Sequence, residues 1–128
     1  MFSHITIGVT DVARATDFYA PILEVLGLTL KFSNDRWSGW KHPQEDRPLF
    51  VITRPFDDQC PAPGNGNMVA FLAESRSLVQ RCYHMAIACG GTDAGQPGWR
   101  PQYHAHFYGA YFRDLDGNKI CICCHAPE

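Results

Sequence analysis

The stretch RDLDGNKICICCH, Arg113 to His125, decides the fold. Asp116-Gly117 is a strong signal for a tight turn between strands. The segments on either side, Phe107–Arg113 and Asn118–Cys124, alternate in polarity, so together they read as a hairpin. In the second arm Ile120 and Ile122 share one face, and Cys124 is small enough to join them. The other face carries Lys119, Cys121, Cys123 and His125. Such a strand belongs to a sheet that buries its apolar face under helices and turns its polar and reactive face elsewhere.

Outward from the hairpin, the chain repeats. At a constant offset of 64 residues His4 falls on Met68, Tyr19 on Tyr83 and Gly27 on Gly91. A two-fold repeat of this size suggests paired supersecondary units that bury a face against each other. In the first unit Phe2–Val9 is a strand rich in β-branched residues, with Ile5, Ile7 and Val9 on one face and His4, Thr6 and Gly8 on the other. Asp11 is a good N-cap for a helix whose apolar face is Val12, Ala15, Tyr19, Ile22 and Leu26. Pro21 is expected to bend that helix and Gly27 to close it. Strands near Leu28–Phe32, Trp37–Lys41 and Leu49–Thr53 follow. Residues Arg54 to Asn67, RPFDDQCPAPGNGN, have turn-forming composition and read as the connection between units, with the linker proper at residues 57–66. The second unit, residues 67–128, opens with a strand at Asn67–Leu72. Ser75 or Ser77 then caps a helix with Leu78, Cys82, Met85 and Cys89 on one face, and Gly90-Gly91 ends it. Thr92 to Gln102, TDAGQPGWRPQ, reads as a long loop.

The bulk numbers limit the functions available. A chain of 128 residues with a hydrophobic share of 45% fits one compact domain. A net charge of -2 offers no basic patch for nucleic acid. No apolar run reaches the roughly 18 residues of a membrane span. MFSHITIGV lacks the charged region that begins a secretory signal, so a cytoplasmic location is expected. The six cysteines, Cys60, Cys82, Cys89, Cys121, Cys123 and Cys124, are then expected to be reduced thiols, and their spacing matches no zinc motif.

Four segments together resemble the vicinal-oxygen-chelate superfamily of glyoxalases, extradiol dioxygenases and bleomycin- and fosfomycin-resistance proteins. They are the opening strand with His4, the helix start from Thr10 to Phe18-Tyr19, the strand from Gly64 to Phe71, and the terminal hairpin. The resemblance implies an α+β fold of two βαβββ modules whose strands form an open, U-shaped sheet around a cavity. It also implies metal ligands on the inner strands. His4 matches the first-strand ligand, Met68 stands where a second His or Gln is common, and Cys121 stands where a Glu is common. The segment Tyr103-His104-Ala105-His106-Phe107-Tyr108 resembles a glyoxalase-like subgroup in which a Tyr-His pair borders the active site. Family members usually dimerise, so a homodimer is expected.

His4, Met68 and Cys121 form a soft donor set. Thioether and thiolate suit Cu(I) or Zn and suit Mg, Mn or Fe(II) poorly. No cofactor is therefore expected, and Zn is the divalent ion such a set would accept. The first functional reading is a glyoxalase-like lyase or isomerase acting on a small molecule, with Cys121 as nucleophile or acid–base thiolate and His4 or His104 as its proton partner. Thr6, Trp37, Met68, Trp99, Tyr103, Tyr108 and Tyr111 are the expected ligand contacts, with Trp99 a lid over the pocket. The second reading is a non-catalytic protein that sequesters an aromatic drug by stacking. A redox or soft-metal role for Cys121, Cys123 and Cys124 ranks third, because adjacent Cys123 and Cys124 point to opposite faces. Cys123 and Cys124 are expected to be structural, and His42 and His84 to be surface residues.

Overall fold

A computed structural model describes all residues, 1–128. Each half runs strand, helix, three strands. The first holds β1 (His4–Gly8), α1 (Val12–Val25), β2 (Thr29–Ser33), β3 (Trp37–Lys41) and β4 (Leu49–Thr53). The second holds β5 (Val69–Leu72), α2 (Arg76–Ala88), β6 (Thr92–Trp99), β7 (Tyr108–Arg113) and β8 (Lys119–Cys124). The sheets are separate hydrogen-bonded units of four strands, ordered β1-β4-β3-β2 and β5-β8-β7-β6. In each, the first and last strands run parallel and the rest antiparallel. Ile5 of β1 and Val69 of β5 line the same two grooves, so these two edge strands face each other across the seam. This is the α+β, two-module architecture expected from the sequence.

Alternation places the core. Ile120, Ile122 and Cys124 of β8 are fully buried in one cluster with Phe18, Tyr19, Ile22, Val79, Tyr83 and Phe112. Both helices therefore lie on one side of the sheets. Asp11 caps α1 by accepting from the Arg14 N–H at 3.1 Å. Pro21 lies inside α1, which continues to Val25, so the helix is not ended there. Leu26 is the C-cap and packs, partly buried, against the core, and Phe18 and Leu23 join the buried stripe. Ser75, not Ser77, caps α2 through the Leu78 N–H. The buried stripe of α2 is Val79, Cys82, Tyr83 and Ala86, rotated from the expected one, and Cys89 is exposed. The rotation follows the partners: Cys82 sits against Ile22 of α1, its Sγ 3.7 Å from the Ile22 carbonyl oxygen, and Tyr83 reaches Asp93 at 2.8 Å.

The expected loop over Thr92–Gln102 is mostly strand. β6 pairs with β7 from Thr92↔Arg113 to Trp99↔Tyr108, with register shifts around Gly95. Gly95 adopts φ +156, and Pro97 occupies an edge strand, where a missing N–H costs no internal ladder bond. Turn-type composition here marks an irregular edge strand.

The decisive turn ties the halves together. The buried carboxylate of Asp114 accepts from Tyr19 OH at 2.6 Å and from the backbone N–H groups of Asp116 and Asn118 at 2.9 Å each. It also accepts from Asn118 Nδ2 at 2.9 Å. The same Asn118 amide reaches the Gly8 carbonyl of β1 at 2.9 Å, and the Thr10 hydroxyl donates to Asp116 at 2.6 Å. Burial, reinforced by Asp114, raises the Tyr19 pKa well above the usual phenol range, so Tyr19 stays a donor.

Candidate functional site

The face of the first sheet turned away from the helices forms a cavity of about 350 Å³. Strand parity builds it. His4 and Thr6 from β1 stand beside Leu49 and Val51 from β4, in register, and all four line the space. Trp37 and Phe32 supply aromatic walls. Phe32 lies directly on Gly39, where an added Cβ would come within 2.4 Å of its ring, so the missing side chain at Gly39 lets that wall lie flat. Ser3 Oγ lies 3.0 Å from His4 Nδ1, which engages one ring nitrogen of the imidazole.

Arg36 and Arg54 complete the lining and fasten the segment that carries Phe56. Arg36 donates to Asp58 Oδ1 at 3.0 Å and to the Pro55 carbonyl at 3.1 Å, and Arg54 lies 3.4 Å from the same carboxylate oxygen. The hydrogen bond and charge of Arg36 hold the Asp58 carboxyl below the usual carboxylate range. Two guanidinium groups against one carboxylate leave a positive balance at this wall.

His4, Thr6 and Trp37 are thus brought together, and the other expected site residues lie elsewhere. Met68 is in a second groove of about 500 Å³ at the seam, with Gly8, Pro63 and Asn118. Cys121 is 1% exposed, opposite Tyr111 on β7 and Ala70 on β5. A hydrogen bond to Cys123, added to burial, raises its pKa, so it stays a thiol. Tyr111 is pushed up to about 12, chiefly by burial, and so remains a neutral phenol. Arg100 and Lys119 lie over its ring at 5.6 and 5.4 Å.

Tyr108 does not line this cavity. It faces α2, where its hydroxyl accepts from Gln80 Nε2 at 2.8 Å and Arg76 stacks on its ring at 5.2 Å. Tyr108 and Tyr111 are three apart on one strand, so they occupy opposite faces. Trp99 is not a lid on the cavity. Its indole N–H donates to the Ala105 carbonyl at 2.8 Å and braces the turn between β6 and β7. Tyr103 packs edge-on against Phe107 at 5.0 Å in that turn. His104 meets a residue the sequence reading left without a role, His125, with Nε2 to Nδ1 at 2.7 Å, and His125 in turn reaches Cys123. Arg36, Arg54, Phe32 and Phe56 were also missed. His42 and His84 are exposed, and Trp40 is core.

The metal implied by the resemblance does not fit the residues present. The three aligned positions sit in three different surroundings, and Cys121 is committed to sulfur and phenol neighbours. No group of three His, Cys, Asp or Glu side chains is arranged to hold an ion. No helix is long and apolar enough to cross a membrane.

Comparison with known proteins agrees with this architecture. The family model described as Glyoxalase/Bleomycin resistance protein/Dioxygenase superfamily matches residues 1–122. A glyoxalase/bleomycin resistance protein from Albidiferax ferrireducens T118 is 35% identical over 98% of this chain and 99% of its own, with a TM-score of 0.86. A glyoxalase/bleomycin resistance protein/dioxygenase family enzyme from Burkholderia phytofirmans PsJN is 18% identical, covers 97% of this chain and 98% of its own, and has a TM-score of 0.72. A glyoxalase-related enzyme from Fulvimarina pelagi, also 18% identical, covers 97% and 87% with a TM-score of 0.72. At that identity the last two bear on the fold alone. No curated protein matches the chain. With the family model spanning nearly the whole length and a full-length relative at 35% identity, the chain belongs to the glyoxalase/bleomycin resistance protein/dioxygenase superfamily.

Proposed function

We propose that this chain is a glyoxalase-like small-molecule enzyme of the lyase or isomerase type, working without a hard divalent ion, with His4 as its proton-transfer group. The observation that supports this reading is the cavity itself. It has apolar and aromatic walls, one imidazole, and a hydroxyl two residues along the same strand. Imidazole is the side chain whose ordinary pKa suits proton transfer near neutrality. The excess of guanidinium over carboxylate at Arg36 and Arg54 selects for a substrate with an anionic head and an apolar or aromatic body. A volume of about 350 Å³ lies at the small end of ligand sites, so a small metabolite fits better than a large drug.

Isothermal titration with small aromatic and aliphatic carboxylates, beside matched neutral amides and amines, tests the selectivity. Carboxylates are expected to bind best, and a preference for amines refutes the reading. His4→Ala is expected to abolish turnover of a binding carboxylate while keeping its affinity within a few-fold. Unchanged turnover refutes the role of His4.

The second reading, sequestration without catalysis, draws on Phe32, Trp37 and Phe56 as stacking surfaces. Saturable binding of an aromatic anion with no turnover by the wild type would favour it. Under either reading we propose a cytoplasmic homodimer. The sheets end in open edges at β2 and β6, and Trp37, Phe56, Leu72 and Trp99 are exposed. Light scattering during gel filtration checks the dimer.

A further inference from the structure

We propose that Cys123, His125 and His104 form a thiol–imidazole–imidazole relay, and that Cys123 is the reactive nucleophile of this chain, open to small soft oxidants of the hydroperoxide class. The relay lies on the second sheet, away from the cavity of His4.

Its polarity can be followed atom by atom. The backbone N–H of His106 donates to His104 Nδ1 at 3.1 Å. That nitrogen is therefore an acceptor, and the ring proton of neutral His104 sits on Nε2. His104 Nε2 is 2.7 Å from His125 Nδ1, so the proton is shared in that direction and His125 Nδ1 accepts. The proton of neutral His125 then sits on Nε2, which lies 3.7 Å from Cys123 Sγ. Every donor in the chain points toward sulfur. A sulfur that accepts a hydrogen bond from an imidazole N–H is stabilised as thiolate. The neighbouring Cys121 thiol, and after it His125, draw the Cys123 pKa down, although burial opposes them.

The neighbours leave this arrangement in place. On β7 the residue opposite Cys123 is Gly109, and on β5 it is Leu72, neither of which titrates. Tyr111 and Arg100 act on Cys121, not Cys123, and Tyr103 acts on Tyr111. The rings are held firmly. The His104 and His125 rings lie edge to edge and nearly coplanar, with centroids 5.0 Å apart and planes 23° apart, and Phe107 packs edge-on against both, at 5.7 and 5.2 Å.

Access sets the class of reagent. Cys123 is only 6% exposed, so bulky electrophiles are disfavoured and a hydroperoxide is small enough to reach it. In the step, the thiolate sulfur attacks one peroxide oxygen. An S–O bond forms and the O–O bond breaks. Sulfur is oxidised by two electrons to sulfenic acid, and the other peroxide oxygen leaves as hydroxide or alkoxide, which is neutralised by an acid of the buffered medium. His125 is a positioning residue that holds the sulfur as thiolate.

The test is hydrogen peroxide with dimedone trapping, followed by mass spectrometry of each cysteine between pH 5 and 9. Exposed Cys60 and Cys89 serve as internal comparisons. Cys123 is expected to be trapped faster than either at pH 6, with a rate midpoint below theirs. His125→Ala should move that midpoint up and slow trapping at pH 6 severalfold, because the sulfur loses its imidazole donor. His104→Gln, at an exposed position, should shift the midpoint the same way by a smaller amount and covers the case in which the first variant fails to fold. Trapping confined to Cys60 and Cys89 at pH 6, or a Cys123 midpoint that neither variant moves, overturns the proposal.

Discussion

Replacing Asp114 with Asn tests what couples the two modules. The substitution keeps size and shape and changes one oxygen to an NH2 group. The side-chain oxygen that remains can still accept from the backbone N–H groups of Asp116 and Asn118. The new NH2 takes the place of Oδ2, which now accepts from Tyr19 OH and from Asn118 Nδ2. Tyr19 can reverse and accept, but Asn118 Nδ2 then faces a donor. One hydrogen bond to a charged group is lost, worth about 1.5–3 kcal/mol, and a buried donor is left poorly paired at about 1–3 kcal/mol. A central expectation is about 3 kcal/mol, or roughly 10 °C in Tm for a domain of this size. Chemical and thermal denaturation measure it. The double variant with Tyr19→Phe should cost less than the sum of the two single variants by about 1 kcal/mol, because both act on one network. A D114N protein whose Tm stays within about 3 °C of wild type, or strict additivity with Y19F, would refute the view that this carboxylate is the anchor.

Two further expectations concern the cavity. Gly39→Ala puts a methyl group 2.4 Å from the Phe32 ring, so the ring must swing. Overpacking of this kind costs about 1–3 kcal/mol, and ligand affinity measured by titration should fall while His4 and its strand are untouched. Asp58→Asn should release the Arg36–Arg54 clamp and speed amide exchange over residues 54–58 at pH 7, as read by mass spectrometry. Because the folded Asp58 pKa is lowered, the clamp is fully present above the ordinary carboxylate value near 4 and is lost as pH falls through the lowered value. In wild type the segment should therefore loosen only in acid, and loosening between pH 5 and 8 would contradict the assignment.

The fold was legible because the informative residues are governed by local rules. The Asp116-Gly117 turn, the β8 alternation and the Asp11 cap each depend on a few neighbours, and each is where the pattern put it. What the sequence hid depends on distant partners. The Thr92–Trp99 strand contains Gly95, Pro97 and Gly98, which locally favour turns, and only pairing with β7 makes it a strand. The buried stripe of α2 was rotated because α1 and Asp93 choose which residues of α2 are covered. At the site, His4 and Thr6 followed from strand parity. The same parity, applied to their separation, shows that Tyr108 and Tyr111 cannot share a face. The pairing of His125 with Cys123 was also within reach, since both lie on the outer parity of β8. The arrival of His104 was not, because it depends on how the turn after β6 folds back over the end of β8.

One strand explains how fold and chemistry can diverge in this chain. Ile120, Ile122 and Cys124 face the helices and are fully buried, so a polar or larger residue there would cost core packing directly. Lys119, Cys121, Cys123 and His125 take the other parity, where the opposing residues are Ala70 and Leu72 on one side and Tyr111 and Gly109 on the other. Those contacts constrain volume more than charge. A thiol in the position where relatives by resemblance carry a carboxylate is compatible with the same hairpin, because the hairpin is held by Asp114, Asn118 and the apolar parity. It does not depend on an ion. The Asp114 network and the Cys123 relay share no residue, so the two should respond independently. D114N should lower Tm without moving the midpoint of Cys123 trapping, and H125A should move that midpoint with little change in Tm. A common response of both readouts to either substitution would mean that the strand cannot be divided in this way, and that its inner face is part of what holds the modules together.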